Sequence, residues 1–237
     1  MDIHELRRIA AREELSLNFV AKDEMMSLLL AQFQGIDDII LKGGTAINRV
    51  YLNKKRFSED ADFDLIYTGT AKDALSRTQE IIAHLKDFIV EKARIMKQTI
   101  RYDLQYTNPL QHKDLLRLEF RVTPAASQYS KRIVNPGFVP ADAALLNVYE
   151  INQLILHKIE CILSRREGKD LFDLYFLLEI SSPPISAAQK EKLRQRLSLS
   201  VAEIKVIANT LNHYIPKMLR PDWEIFIEEL KEKIERA

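Results

Sequence analysis

The most constraining feature of this chain is an apolar run that stops at two glycines and is followed by alternating aspartates. Ile39-Ile40-Leu41 leads through Lys42 to Gly43-Gly44, and Thr45 opens a segment with helical spacing. This order predicts a strand, a tight turn and a helix start. The backbone N–H groups, the helix dipole and the Thr45 hydroxyl at such a turn favour an anion, most often phosphate. Glycine allows the ligand close to the backbone.

The segment Asp60-Ala61-Asp62-Phe63-Asp64-Leu65-Ile66 alternates acidic and apolar residues. On a strand, its three aspartates share one face, where their charges repel unless a cation lies among them. Hard oxygen ligands without histidine or cysteine nearby predict Mg²⁺ or Mn²⁺. Periodicity does not decide which two of the three aspartates bind the metal. A phosphate site beside a metal site predicts nucleoside triphosphate chemistry, and the alternative is a glycine turn followed by a solvated acidic strand.

Composition excludes several other classes of protein. The 35 basic and 34 acidic residues nearly cancel, so any RNA-binding surface must be a local patch. The single cysteine, Cys161, excludes an internal disulfide and a cysteine metal cluster, and is consistent with a reducing cytoplasm. No apolar run approaches the roughly 18 residues of a membrane span, and the polar N-terminus is unlike a secretory signal. We therefore expect a cytoplasmic protein with no membrane partner.

Hydrophobic periodicity predicts an α+β chain. The strands expected beside the glycine turn and the acidic segment are joined by two more, at 102–106 and 115–122. The predicted helices cover 2–14, 18–34, 71–96, 150–165, a segment opening at Asp170, and then 186–198, 200–213 and 222–236. Trp223 and Phe226 are the expected anchors of this C-terminal region.

Three further groups of charged residues have both a purely structural and a functional interpretation. Glu119 lies between two arginines on its strand, which is usually a surface charge ladder. Lys158 and Arg165 are two helical turns apart and project from one side of their helix. Asp170 and Asp173 share the first turn of the next helix, where capping and the helix dipole alone would explain them.

These motifs resemble the AbiEii/AbiGii-type nucleotidyltransferase toxins, a branch of the polymerase-beta-like superfamily. Gly-Gly-Thr at 43–45 is followed by Arg-Phe-Ser-Glu-Asp-x-Asp at 56–62, and a third block contains Lys158 and Lys-Asp-Leu-Phe-Asp at 169–173. The resemblance spans residues 15 to 180. The chain departs from the family pattern at Lys169, where arginine is usual, so bidentate geometry is lost there.

The resemblance implies a polymerase-beta-like core, a mixed sheet flanked by helices, in residues 1–145. A helical C-terminal region, 146–237, would complete the active site. It also implies transfer of a nucleotide from an NTP to RNA, with the tRNA 3′ end as the favoured acceptor, and a cognate antitoxin as partner. Two alternatives from other classes are transfer to a small molecule or protein hydroxyl, and a non-catalytic nucleotide-binding partner subunit.

The resemblance also assigns roles to individual residues. Two of the three aspartates would hold magnesium, and Lys158 matches the triphosphate-binding lysine of the family. Either Glu119 or Asp173 would accept the acceptor proton, while Glu119 is alternatively a third metal ligand and Asp170 is structural or catalytic. The expected nucleotide-binding residues are Lys42, Gly43, Gly44, Thr45, Arg56, Ser58, Lys158 and Arg165.

Overall fold

A computed structural model describes residues 1–237, which form two compact units, Met1–Glu150 and Ile151–Ala237. The first unit contains all strands of a seven-stranded mixed sheet, and the second is helical. The predicted α+β class is confirmed. None of the helices is both long enough and apolar enough to cross a membrane.

The first unit begins with two helices and then alternates short helices with strands. Its helices are α1 (Ile3–Glu13), α2 (Leu17–Ala31), α3 (Gly43–Ala46, continued by a π-helical turn, Ile47–Tyr51) and α4 (Leu75–Ile82). Its strands are β1 (Ile39–Lys42), β2 (Asp60–Ile66), β3 (Ile89–Met96), β4 (Thr99–Thr107), β5 (Lys113–Thr123), β6 (Tyr129–Val134) and β7 (Ala144–Tyr149).

The strand order is β3-β4-β5-β2-β1-β7-β6. Strand β2 lies between β1, which is antiparallel to it, and β5, which is parallel. Apolar residues of β2 and β5 face the core, where Phe63 stacks on Phe120 at 5.8 Å and meets Phe33 edge-on at 5.2 Å. Because side chains alternate along a strand, this packing turns the three aspartates of β2 to the opposite face.

The predicted helix over 71–96 is wrong in its second half. Helix α4 ends at Ile82, Asp87 adopts a left-handed conformation with φ of 68°, and Ile89–Met96 forms the edge strand β3. This short segment mixes apolar and charged residues in an order that fits both periodicities, and pairing with β4 decides between them. Strand β7 was not predicted, and it lies between β1, which is parallel to it, and the edge strand β6, which is antiparallel.

A buried ion pair fixes the helix that follows the glycine turn. The Arg49 guanidinium, on the π-helical turn, donates to Asp23 Oδ1 at 2.7 Å and to Ser27 Oγ at 2.8 Å on α2. Asp23 Oδ2 accepts the N–H of Val139 at 3.1 Å, and a Cβ at Gly137 would overlap the same carboxylate. Helix α2, the π-helical turn and the loop before β7 are therefore held together through one carboxylate.

The second unit is a set of helices around an aromatic cluster. The helices are α5 (Ile151–Ser164), α6 (Gly168–Ile180), α7 (Ala187–Arg196), α8 (Val201–Leu211) and α9 (Trp223–Arg236). Trp223 and Phe226 are buried, and Phe226 stacks on Phe172 at 6.0 Å and on Tyr175 at 4.3 Å. The predicted anchoring role of Trp223 and Phe226 is confirmed.

Candidate active site

The glycine turn joins β1 to α3 without room for side chains. Gly43 has φ of 68°, in the left-handed region, and a Cβ there would collide with Asp62 Oδ2. A Cβ on Gly44 would lie 2.5 Å from Arg56 Nη2 and 2.9 Å from Ser58 Oγ. Both positions therefore require glycine, the first for its conformation and both for close approach. Lys42, the residue before the helix, makes no side-chain capping bond, so the first-turn N–H groups are not capped by that residue.

The glycine turn is packed against three polar side chains, those of Thr45, Arg56 and Ser58. The buried Thr45 hydroxyl donates to the backbone carbonyl of Asp60 at 2.5 Å and contacts Ser58 Oγ at 3.1 Å. Arg56 is buried, not solvated, and its Nη1 donates to the carbonyl of Phe57 at 2.8 Å. These side chains tie the start of β2 to the glycine turn.

The register of β2 and β5 sets the charges of the open sheet face. Asp60 is opposite Arg117, and Asp62 is opposite Glu119. Paired residues of neighbouring strands share a face, so each pair forms one rung of a ladder. Arg117 Nη1 lies 3.4 Å from Asp60 Oδ2, which makes this rung oppositely charged. The next rung places two carboxylates side by side, which is unfavourable for a sheet. The register partners on the outer sides of this rung are cations, Lys42 beside Asp62 and Arg101 beside Glu119.

The third rung, Asp64 opposite Arg121, is a closed ionic cluster. Arg121 donates two hydrogen bonds to Asp64, at 2.8 and 2.9 Å, Tyr149 Oη donates a third at 2.6 Å, and Lys42 Nζ is ion-paired to the same carboxylate. Burial opposes ionisation of Asp64, but these donors hold its pKa below the usual value. Burial lowers the pKa of Lys42 and raises that of Tyr149.

Asp64 is consequently a poor metal ligand, since both of its oxygens already accept hydrogen bonds from cationic or hydroxyl groups. No group of three or more histidine, cysteine, aspartate or glutamate side chains is assembled to hold an ion. The oxygen donors that lie together by register are the carboxylates of Asp62 and Glu119, with Asp60 one rung away. Such a set fits a hard divalent cation whose remaining ligands come from a bound triphosphate.

In the second unit, the predicted charged residues form a buried network. Lys158 Nζ lies 2.8 Å from Asp170 Oδ1 and 2.8 Å from Asp173 Oδ2, and Arg165 Nε donates to Asp170 Oδ2 at 2.8 Å. All but Arg165 are buried. The two cations hold the pKa of Asp170 below its usual value against the effect of burial. The network joins α5 to α6 and fixes the Lys158 ammonium between two carboxylates.

Comparison with known proteins identifies the family. The sequence pattern of the nucleotidyl transferase AbiEii toxins, of the type IV toxin–antitoxin system, matches residues 27–236. The chain belongs to the AbiEii family. This AbiEii chain is therefore a nucleotidyltransferase of the toxin type, and the family predicted from the motifs is confirmed. A comparison with curated proteins gave no significant match.

Solved structures share the fold of this AbiEii protein at low sequence identity. JHP933 from Helicobacter pylori is 20% identical with a TM-score of 0.65, and the alignment covers 94% of this chain and 92% of that chain. MenT4, a nucleotidyltransferase toxin from Mycobacterium tuberculosis, is 16% identical with a TM-score of 0.61, covering 98% and 90%. A putative nucleotidyltransferase from H. pylori gives 20% and 0.65, covering 94% and 95%. At these identities the likeness concerns the fold.

Sequence reasoning missed three side chains of the AbiEii site. Arg117 and Arg121 were recognised as a surface ladder, but not as the partners of Asp60 and Asp64. Tyr149 is at the end of the unpredicted strand β7, and nothing local links it to Asp64. The segment Ala144-Leu-Leu-Asn-Val-Tyr149 is a short, mostly apolar run that ends in a β-branched and an aromatic residue, and this strand signal would have placed Tyr149 in the sheet.

Proposed function

We propose that this AbiEii protein transfers a nucleotide from a nucleoside triphosphate to a hydroxyl of RNA, with the tRNA 3′ end as the favoured acceptor. The reaction requires Mg²⁺ or Mn²⁺, takes place in the cytoplasm, and is restrained by a cognate antitoxin. The observation that carries the chemistry is the like-charged rung of Asp62 and Glu119 between two oppositely charged rungs. The RNA acceptor and the antitoxin are supported by the family resemblance.

The metal site of this proposal consists of Asp60 and Asp62. Both are on the open face of β2, and Asp62 packs against Gly43, so a cation held there lies beside the turn that would bind the phosphates. A bound divalent ion would neutralise the triphosphate and lower the pKa of the acceptor hydroxyl. Asp64 is excluded from the proposed ligands because its cluster with Lys42, Arg121 and Tyr149 satisfies its oxygens.

The phosphates are proposed to bind the N–H groups of Gly43, Gly44 and Thr45. A helix start favours anions through these donors and through its dipole. Arg56 and Ser58, which fill the space behind Gly44, would act by holding the turn in shape. Lys42 is placed one residue before the turn, but its ammonium pairs with Asp64, which lies opposite Ile40, and so points away from the turn in this structure.

Glu119 is the better candidate for the base that takes the proton of the acceptor hydroxyl. Its side chain is partly exposed on the open face beside Asp62, where an acceptor can reach it. Asp173 is completely buried and ion-paired with Lys158 at 2.8 Å, so an acceptor hydroxyl has no access to it. In the proposed reaction the acceptor oxygen bonds to the transferred phosphorus, pyrophosphate leaves, and Glu119 holds the released proton.

Lys158 is proposed to bind the triphosphate on the strength of the family motif alone. Its ammonium is buried between Asp170 and Asp173, so phosphate oxygens would have to replace one of these partners. Asp170 and Asp173 would then be positioning residues, because they hold the Lys158 ammonium at a fixed point on α5. Arg165, whose side chain is partly exposed, would add a second cation to the same region through Asp170.

The deciding experiment follows an α-phosphate label from each of the four NTPs into separate RNA, protein and metabolite fractions. We expect metal-dependent incorporation into RNA, release of pyrophosphate, and loss of both in Asp62→Asn. Label found in the protein or metabolite fraction, and not in RNA, would show that the acceptor is a protein or a small molecule. If folded wild-type protein supplied with the metal ion releases no pyrophosphate in the presence of RNA, protein or metabolites, the proposed nucleotidyltransferase activity is refuted.

The matched control is Asp37→Asn. Asp37 is an exposed aspartate before β1, whose carboxylate pairs with Lys131 at 3.0 Å. Its substitution removes the same charge from the same unit but leaves the open-face ladder intact. Equal losses in Asp37→Asn and Asp62→Asn would mean that net charge, and not the metal site, governs activity.

A further inference from the structure

The open face of β3, β4 and β5 carries a row of cations that leads to the Asp62–Glu119 rung. Strand register aligns Arg94 on β3 with Arg101 on β4, Arg101 with Glu119 on β5, and Glu119 with Asp62 on β2. The adjacent row aligns Lys92 with Asp103, Asp103 with Arg117, and Arg117 with Asp60. We call the face formed by Lys92, Arg94, Arg101, Arg117 and Arg121 the basic strand face.

This face concentrates positive charge in a chain that is almost neutral. Its five lysines and arginines share the face on β3 to β5 with two carboxylates, Asp103 and Glu119, an excess of three, whereas the whole chain has a net charge of +1. The guanidinium-bearing side chains are accessible, since Arg94 is 40%, Arg117 43% and Arg121 47% exposed. This face is therefore a local basic patch of the kind that RNA binding by a nearly neutral chain requires.

The charges near the sheet edge are only partly neutralised within the protein. Arg94 and Arg101 both pair with the single carboxylate of Asp103, at 2.9 and 3.0 Å. Two guanidinium groups opposite each other on neighbouring strands repel, which costs stability unless an anion lies between them. Arg94 Nε is in addition buried without a hydrogen-bond partner. The two guanidinium groups exceed the Asp103 carboxylate that they share by one charge, and this excess favours an external anion at this place.

We propose that the basic strand face binds the phosphate backbone of a polynucleotide acceptor and leads its reactive end to the Asp62–Glu119 rung. This inference rests on the proposed function, and it assigns the acceptor a binding surface. The guanidinium group of arginine binds two phosphate oxygens through parallel hydrogen bonds, which suits recognition of a nucleic-acid backbone regardless of its sequence. Strand β3 is three strand spacings from β2, about 14 Å, so only an extended polyanion reaches both Arg94 and the site.

The test compares Lys92→Gln/Arg94→Gln with the wild type in binding a labelled single-stranded RNA without NTP, between about 0.1 and 1 M salt. Each lost phosphate contact removes about 0.7 from the slope of log affinity against log salt, so the double variant should lose about 1.4. Its RNA affinity should be about 25-fold weaker at 0.1 M salt, with the difference vanishing near 1 M. In the transfer assay, the KM for RNA should rise by a similar factor.

The matched control is Arg8→Gln/Arg12→Gln on α1. Arg8 and Arg12 are exposed and each pairs with one glutamate, Glu5 and Glu13, so this variant also removes two cations and exposed ion pairs. Its RNA affinity and salt slope should equal those of the wild type. Equal weakening in both double variants would show that net charge alone acts, and the basic strand face would lose its assignment.

Two other results would overturn the inference. One is an unchanged affinity and salt slope in Lys92→Gln/Arg94→Gln. The other is displacement of the RNA by polyglutamate at equal charge concentration, because the face would then recognise acidic proteins as readily as phosphates. Failure of the proposed function is distinguishable, since it would leave wild-type RNA unlabelled in the transfer assay while the binding assay without NTP still reports on the face.

Discussion

Removing the charge of Asp64 should destabilise the protein, because Asp64 is the ion-pair partner of the poorly exposed Lys42 as well as of Arg121. Its carboxylate is completely buried and accepts hydrogen bonds from Arg121 and Tyr149 as well as the ion pair from Lys42. In Asp64→Asn the Lys42 ammonium, only 17% exposed, loses its direct ion pair and keeps only the charge of its register partner Asp62 nearby. Breaking a buried pair costs about 3 to 5 kcal/mol, and we take about 2 to 4 here because Arg121 is half-exposed and can turn to solvent.

Urea denaturation measures this loss as a lower midpoint with an unchanged slope. The corresponding decrease of the melting temperature is about 4 to 16 °C for a chain of this size. The double variant Lys42→Met/Asp64→Asn should recover much of the stability, because it removes both buried charges. Wild-type stability in Asp64→Asn, together with loss of metal-dependent stabilisation, would instead make Asp64 a metal ligand and refute the closed cluster.

The pH dependence follows from the lowered pKa of Asp64. A carboxyl group with a lowered folded pKa contributes its full stability above its unfolded pKa, about 3.9, and loses it as the pH falls through the folded value. The difference in unfolding free energy between wild type and Asp64→Asn should therefore be constant from about pH 6 to 8 and shrink below about pH 4.

Three further substitutions test the site, each by transfer and unfolding assays. Asp62→Ala should abolish transfer without loss of stability, since it relieves the repulsion with Glu119; a folded, fully active variant would contradict the metal assignment. Gly44→Ala should weaken triphosphate binding and lower the melting temperature, because its Cβ meets Arg56 Nη2 at 2.5 Å; unchanged triphosphate affinity would remove the phosphate site. Lys158→Met should cost about 3 to 5 kcal/mol, because it removes the buried cation that Asp170 and Asp173 share and leaves Asp170 with Arg165. In the stability-rescued Lys158→Met/Asp173→Asn, transfer should still fall about 30- to 1000-fold, which is about 2 to 4 kcal/mol at 1.4 kcal/mol per decade, and near-normal transfer would make the lysine purely structural.

The sequence predicted the sheet where alternation or a glycine break was strong, and failed where the signal was short. Strands β1, β2, β4 and β5 were recognised from such patterns. Strand β3 was assigned to a helix, because the five apolar side chains among its eight residues fit both periods and because both of its faces are exposed at the sheet edge. Its identity depends on pairing with β4, which no local pattern contains.

The candidate site shows the same division between local and long-range information. The glycine turn and the aspartates of β2 were visible in the sequence, because each is a local motif. The separate role of Asp64 was not, since it depends on Tyr149, 85 residues away, and on Arg121, 57 residues away. Charged residues at equal spacing on one strand are indistinguishable until the neighbouring strands are in place.

The function of each open-face residue is therefore fixed by packing on the opposite face of the sheet. Phe63 and Phe120 are register partners and stack at 5.8 Å in the core. Because a slip of one residue would bring charged side chains into that core, the stack locks the register. The same register sets Asp62 beside Glu119 and gives the flanking aspartates arginine partners. The oppositely charged rungs, Asp60 with Arg117 and Asp64 with Arg121, stabilise the sheet. The like-charged rung, Asp62 with Glu119, destabilises it at the place where a metal ion and the acceptor are proposed to bind.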